Sequence, residues 1–315
     1  MDTPITGRNG QCDLACPDRI VVATDLADAE SLIPHAIAQA KASHASLTFV
    51  HAMPPEETPD AQSGSLPAGD LKCQRKKRLS LDSITKQVRS QGVTCSTAVS
   101  TGPISDVVRE IITITGAGRL IIGTHARQGV DKLLLGSVAR KLLESVDVPV
   151  YIVGPHCRPR SPIGPMHNIL LASSFFGTDG PNTAIAAGIA RQCGARLTLL
   201  HVMTRQDRAA SWLKPGQSVT ELHRDLLCHD AAQRPISTRI AEGDPAAEIV
   251  RAANEINADL IILGVHHYPF RLPFGKETTA YKVLISTHCP VLTLKSDSAL
   301  IRKQALTDTR HTIAM

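Results

Sequence analysis

The run Ile121-Ile122-Gly123-Thr124-His125-Ala126-Arg127-Gln128-Gly129-Val130-Asp131-Lys132-Leu133-Leu134-Leu135-Gly136-Ser137-Val138-Ala139-Arg140 decides how the chain reads. It opens with the end of an apolar stretch, residues 119–122, which predicts a buried strand that breaks at Gly123. A loop of small and polar residues follows. Gly136-Ser137-Val138 then leads into an amphipathic run, residues 139–145. A strand, a glycine turn and a Gly-Ser pair opening a helix form an arrangement suited to phosphate. Glycines let the backbone come close, and the first amide groups of a helix attract negative charge. Each hydrogen bond to a charged group contributes roughly 1.5–3 kcal/mol, so three or four backbone donors suffice without a lysine. The spacing is not that of a P-loop, which ends in Gly-Lys-Ser/Thr.

The same kinds of segment recur along the chain. Short apolar strands at residues 19–25, 46–52, 94–100 and 148–153 alternate with helical patterns at about 27–42, 71–90 and 104–115. Between them, residues 53–70 are rich in proline, glycine, serine and acid, which predicts a loop. This alternation predicts a doubly wound parallel α/β sheet. A proline-rich connector follows, and then the pattern begins again. Residues 168–174 answer the first strand, 195–203 the second, 240–245 answer 99–104, 258–264 answer the focal strand, and 290–294 answer 149–153. Gly102 matches Gly243 and Val153 matches Leu294, both 141 positions apart, with no gap between them. The chain is a duplication. The boundaries expected are a flexible tail at 1–18, a first domain at 19–154, a linker at 155–166, a second domain at 167–295 and a polar C-terminal tail at 296–315.

Composition agrees with two globular units. At 315 residues the chain suits two domains of about 150. Hydrophobic residues make up 43% but aromatics only 3%, so Val, Ile, Leu and Ala must fill the cores, as in helix-covered parallel sheets. The formal charge is +5, and much of the basicity lies in Lys72-Cys73-Gln74-Arg75-Lys76-Lys77-Arg78. That run sits in a helical pattern without interleaved aromatics, which favours a solvated helix face over a nucleic-acid contact. Eight cysteines are scattered without a CxxC pair, so neither a disulfide framework nor a zinc motif is expected. No apolar leader opens the chain and no stretch reaches about 20 apolar residues, so the expected location is the cytoplasm, with no membrane segment.

Gly123, two residues, Ala126, nine residues, then Gly136-Ser137 resembles the G-x2-G-x9-G-S/T nucleotide motif of the universal stress proteins. The second glycine is replaced by Ala126. Alanine stays small but penalises positive φ, which bears on the tightness of binding more than on its existence. The resemblance spans nearly the whole chain, as two copies. It implies five-stranded parallel sheets of order 3-2-1-4-5 in each domain, an adenine-nucleotide alpha-hydrolase-like fold. It also implies ATP, with or without Mg²⁺, in the first copy. Asp25, Ala23 and Ala52 match the adenosine side, and Gly123, Ala126, Gly136, Ser137 and Val138 the phosphate side. Association through the last strands is implied as well, either within one chain as a pseudo-dimer or between chains as a homodimer. The implied role is a stress-response nucleotide sensor read by a protein partner. A slow ATPase or nucleotidyl-transfer enzyme and a nucleotide-independent interaction scaffold are the rivals.

The bland reading of these residues is a helix-capping Asp25 and ordinary turn glycines. No catalytic residues or metal ligands are assigned: His51 and His201 read as packed strand-end histidines, and His266, His267, His288 and Cys289 make a poor metal set. In the second copy Asp25 becomes Ser174, Ala126 becomes His267, Gly136 becomes Glu277 and Ser137 becomes Thr278. A carboxylate where phosphate should lie opposes it by about 4 kcal/mol at ~4 Å and an effective dielectric near 20. The second copy is therefore expected not to hold ATP.

Overall fold

The structure, a computed structural model, describes residues 14–53, 68–124, 136–157, 164–173, 179–204, 236–265 and 278–295. The first half runs β1 (Arg19–Ala23), α1 (Ala29–Ser43), β2 (Ser46–Met53), α2 (Ala68–Ser90), β3 (Cys95–Thr101), α3 (Ile104–Thr115), β4 (Arg119–Gly123), α4 (Ser137–Ser145) and β5 (Val150–Val153). The second half repeats it: β6 (Asn168–Ser173), α5 (Asp179–Cys193), β7 (Arg196–Met203), β8 (Ser237–Glu242), α6 (Pro245–Glu255), β9 (Leu260–Val265), α7 (Thr279–Ser286) and β10 (Val291–Lys295).

Strand order in the first half is β3-β2-β1-β4-β5 and in the second β10-β9-β6-β7-β8, the expected 3-2-1-4-5 in each. Within each half all pairings are parallel. The expectation of two separate five-stranded sheets gives way to one sheet of ten strands. β5 pairs antiparallel with β10, Tyr151 opposite Leu292 and Val150 opposite Thr293. An open parallel sheet leaves a row of unpaired backbone groups on its outer strand, and each half covers the other's. Of the two modes of last-strand association, the chain itself makes the intramolecular one. Side chains fasten the seam: Thr293 Oγ1 donates to Val150 O, and Lys295 Nζ reaches Glu144 O at 3.2 Å and the Asp147 carboxylate at 3.4 Å.

Strand alternation divides the core between the two faces. Ile20, Val22, Phe49, Ile121 and Tyr151 pack under α1, α2 and α5. Val21, Ala23, Val50, Leu120, Ile122 and Ile152 pack with α3, α4, α6 and α7. Both faces of β1 and β4 are apolar because both are covered.

Residues 14–18, within the segment read as a tail, contribute Leu14, which is 1% exposed. The reason lies in Arg119 at the start of β4, itself buried: its guanidinium donates to Gln39 Oε1 at 2.6 Å and to the carbonyls of Leu14 and Ala15. A buried charge needs hydrogen-bonding partners, and the chain ahead of β1 supplies them.

Candidate functional site

The order 3-2-1-4-5 reverses winding between β1 and β4, and in open α/β sheets ligands sit at the carboxyl ends of the strands flanking such a switch. β1 ends at Ala23, paired with Val50 and Ile122, and β4 ends one residue further on at Gly123. Ala23 is buried on the α3–α4 face, and Ala52 packs against the same cluster. Gly136, Ser137 and Val138 open α4 on that face, since Ala139, Leu142 and Leu143 of the helix belong to the same cluster. Ala23, Ala52 and the start of α4 thus share one side of the sheet, while the Cβ direction of Gly123, at the end of β4 beside them, faces the α1 side. Asp25 stands in the turn between β1 and α1, exposed. Ala126, together with His125 and Arg127 to Leu135, lies outside the described residues, as do Ser174, His267 and Glu277 of the second copy.

The turn after β1 is held by its own side chains. Asp25 Oδ1 accepts from the amides of Ala27 at 2.9 Å and Asp28 at 3.2 Å. Thr24 Oγ1 accepts from the Leu26 amide and donates to Asp28 Oδ1. Leu26 takes φ 73°, a left-handed value unusual for leucine and made tolerable by these bonds on either side. Asp25 therefore does not cap α1, whose cap residue is Asp28; one of its oxygens closes the turn ahead of the helix. Among the described residues its Oδ2 has no hydrogen-bond partner and is open to a donor.

Two residues that sequence reasoning passed over complete the site. Asp28 is buried, and its carboxylate lies over the end of β4: a Cβ on Gly123 would stand 2.6 Å from Asp28 Oδ2. Gly123 is thus glycine because of a neighbour at the start of α1. The only signal available beforehand was a second aspartate three positions after Asp25. We expect Gly123→Ala to lower stability by about 1–3 kcal/mol, the usual range for overpacking, since Asp28 is tied to Thr24 and cannot simply swing aside. Urea unfolding of Gly123→Ala, Asp28→Ala and the double variant checks this. Additive effects would mean the two residues are not in conflict. The other addition is Thr124, buried, whose amide and hydroxyl both donate to Val153 O and tie the ends of β4 and β5 together. His51 Nδ1 lies 3.0 Å from Thr24 O, and His201 Nδ1 the same distance from Ser173 O, so both strand-end histidines brace the turn after the first strand of their half.

The helix starts separate the two halves. α4 begins at Gly136, and among the described residues no side chain caps its amides, its first turn carries no acid, and a Cβ built at Gly136 meets nothing within 4 Å. Its counterpart α7 begins at Thr278, whose hydroxyl accepts from the Tyr281 amide. α3 starts after Pro103, also without a side-chain cap, whereas its counterpart α6 is capped by Asp244, which accepts from the Ala247 amide at 3.1 Å. Among the described residues no side chain takes the first-turn amides of α4, which with the positive end of the helix dipole can receive an anion, while α6 and α7 each give one such amide to their own cap residue. Asp244→Ala is expected to destabilise the chain by about 1 kcal/mol, with Pro103→Ala within ~0.5 kcal/mol of wild type, in thermal unfolding of the two variants. Equal losses would remove this distinction between the halves. Among the described residues, no group of three His, Cys, Asp or Glu side chains is arranged to hold a metal ion, and no helix is long and apolar enough to cross a membrane.

Fold and site together define a tandem doubly wound α/β protein whose two halves differ in how their helix starts are capped among the described residues. The family model of the universal stress proteins matches residues 17–154 and again 166–295, and the chain belongs to that family. Among solved structures it is similar to a universal stress protein from Archaeoglobus fulgidus DSM 4304, at 17% identity and TM-score 0.69, covering 89% of this chain and 98% of that one. It is also similar to a functionally unknown protein from Pseudomonas aeruginosa PAO1 and to a putative universal stress protein from Pseudomonas aeruginosa UCBPP-PA14. Each is 18% identical with TM-score 0.58, covering 94% of this chain and 99% of the other. At such identities the likeness is one of fold. A search of curated proteins found no match.

Proposed function

We propose that the first half binds ATP at the carboxyl ends of β1 and β4 and that the chain works in the cytoplasm as a stress-response nucleotide sensor. The observation that carries this reading is the uncapped start of α4 at Gly136, set against the self-capped start of its duplicate. In this reading the amides of Gly136, Ser137 and Val138 hold the phosphates with Gly123 and Ala126, and Mg²⁺ arrives with them. Ala23 and Ala52 offer small side chains to the adenine, and Asp25 Oδ2 accepts from a ribose hydroxyl while Oδ1 keeps the turn. Nucleotide occupancy then changes the surface around the loop from 124 to 135, which a protein partner reads.

The test is equilibrium dialysis of the full chain with labelled ATP, alongside mass spectrometry of small molecules released from freshly purified protein. One nucleotide per chain is expected. Asp25→Ala should weaken it about 10–100-fold, the value of one hydrogen bond to a charged group. No saturable binding and no released nucleotide would sink the proposal. A second reading, the nucleotide-independent scaffold, is favoured by one observation: the Asp25 turn already closes on its own amides. That reading expects Asp25→Ala to lower stability while changing no ligand affinity. Mg²⁺-dependent turnover abolished by the same substitution would instead support the enzyme.

A further inference from the structure

A cavity of about 940 Å³ opens between the two halves. It is separate from the β1–β4 crevice, since none of Asp25, Gly123 and Gly136 lines it. Its walls come from the later turns of α1, from β5, and from the second-half residues that precede β6, β9 and β10. Ligand pockets are typically about 300–1,000 Å³, and this one falls in that range with walls of mixed polar and apolar residues. Ala38, Ala42, Met166 and Pro290 provide apolar surface. At one wall His35 and Tyr151 are buried, with His35 Nδ1 and the Tyr151 hydroxyl 3.2 Å apart.

Charge fixes the kind of occupant. Lys41, His44, His167 and His288 line the cavity and are exposed, bringing one fixed cation and three imidazole hydrogen-bonding groups. Among the described residues Asp259 is the one carboxylate in the lining, and its Oδ2 already accepts from the amides of His167 at 2.7 Å and Asn168 at 3.0 Å. The lining thus offers donors to an anion while its acid is turned to the backbone. We propose that this seam cavity is a second ligand site, for a small organic anion that carries its carboxylate or sulfonate on a flat apolar body. Because both halves line it, such a ligand would bridge them across the β5–β10 junction. This proposal does not depend on the ATP site.

The probe is 2-naphthoate, titrated into the full chain by isothermal calorimetry at pH 7. We expect one site per chain with Kd below about 1 mM, unaffected by saturating ATP. Lys41→Ala should weaken binding about fivefold, as loss of a partly screened charge does. Ala42→Trp, which fills the cavity, should weaken it at least ~10-fold. Lys41 is exposed, so that variant keeps the test sound should the tryptophan disturb packing. Heats that do not saturate, affinity unchanged in both variants, or displacement of naphthoate by ATP would each overturn the proposal.

Discussion

Gly136→Glu should abolish ATP retention by the whole chain, weakening binding by about three orders of magnitude while leaving thermal stability unchanged or slightly raised. The duplicate position carries Glu277, so the substitution writes the second copy's residue into the first. A carboxylate ~4 Å from one phosphate charge, at an effective dielectric near 20, opposes binding by about 4 kcal/mol, and each 1.4 kcal/mol is tenfold. The fold has no reason to object. Among the described residues a Cβ at position 136 meets nothing within 4 Å, and an acid at a helix start is favourable by roughly 0.3–1 kcal/mol. Dialysis with labelled ATP and a circular-dichroism melt therefore separate the site from the scaffold. Gly136→Ala serves as control and should lose far less affinity. Unchanged ATP binding in Gly136→Glu would place the nucleotide somewhere other than the start of α4.

Stability should fall as the solution is acidified from pH 7.5 to 4, and His35→Gln should flatten that fall. Burial pushes the His35 imidazole down from 6.5 to about 4. Above about pH 7.5 His35 is neutral whether the chain is folded or not, and the group contributes nothing. As pH drops through 6.5 the unfolded chain takes up a proton that the folded chain refuses, so the native state loses ground. The loss grows until pH reaches about 4, where it is complete and on the order of 3 kcal/mol. Burial raises the Tyr151 phenol well above its ordinary value, so the hydroxyl facing His35 stays protonated throughout. Glutamine keeps a hydrogen-bonding group for that hydroxyl without a proton to gain. Urea unfolding at pH 7.5 and pH 5 should show wild type losing about 2 kcal/mol more than the variant. Parallel curves would mean that position 35 is not buried as a neutral imidazole.

Much of this architecture was legible in the residues. Apolar runs such as Ile20 to Ala23 and Leu120 to Ile122 can only be strands covered on both faces, and the constant offset between Gly102 and Gly243 declares the duplication. Which last strand pairs with which was not legible. An exposed edge at Val150 to Val153 accepts a strand from its own chain or another equally well, and the choice depends on where the linker carries the second half. Arg119 reads as the polar lip of a strand because sequence does not reveal that Gln39 and the carbonyls of Leu14 and Ala15 surround it. Asp28 was missed for the same reason: its importance lies in crowding Gly123, which is distant in sequence. The open and closed helix starts were half visible. Glycine at 136 against Glu-Thr at 277–278 pointed the right way, but only the cap from Thr278 to Tyr281 shows how the second copy satisfies itself.

The antiparallel junction of β5 with β10 has an evolutionary consequence. In a homodimer joined across such a two-fold axis, every substitution is made twice, so a crevice can be lost only from both subunits at once. Fusing the pair into one polypeptide breaks that symmetry without disturbing the contact. One lobe can drift while the other stays under selection, and the drifting lobe still shields its twin's outer strand. A chain built this way can specialise by asymmetry, keeping one receptor and releasing the other to become pure support.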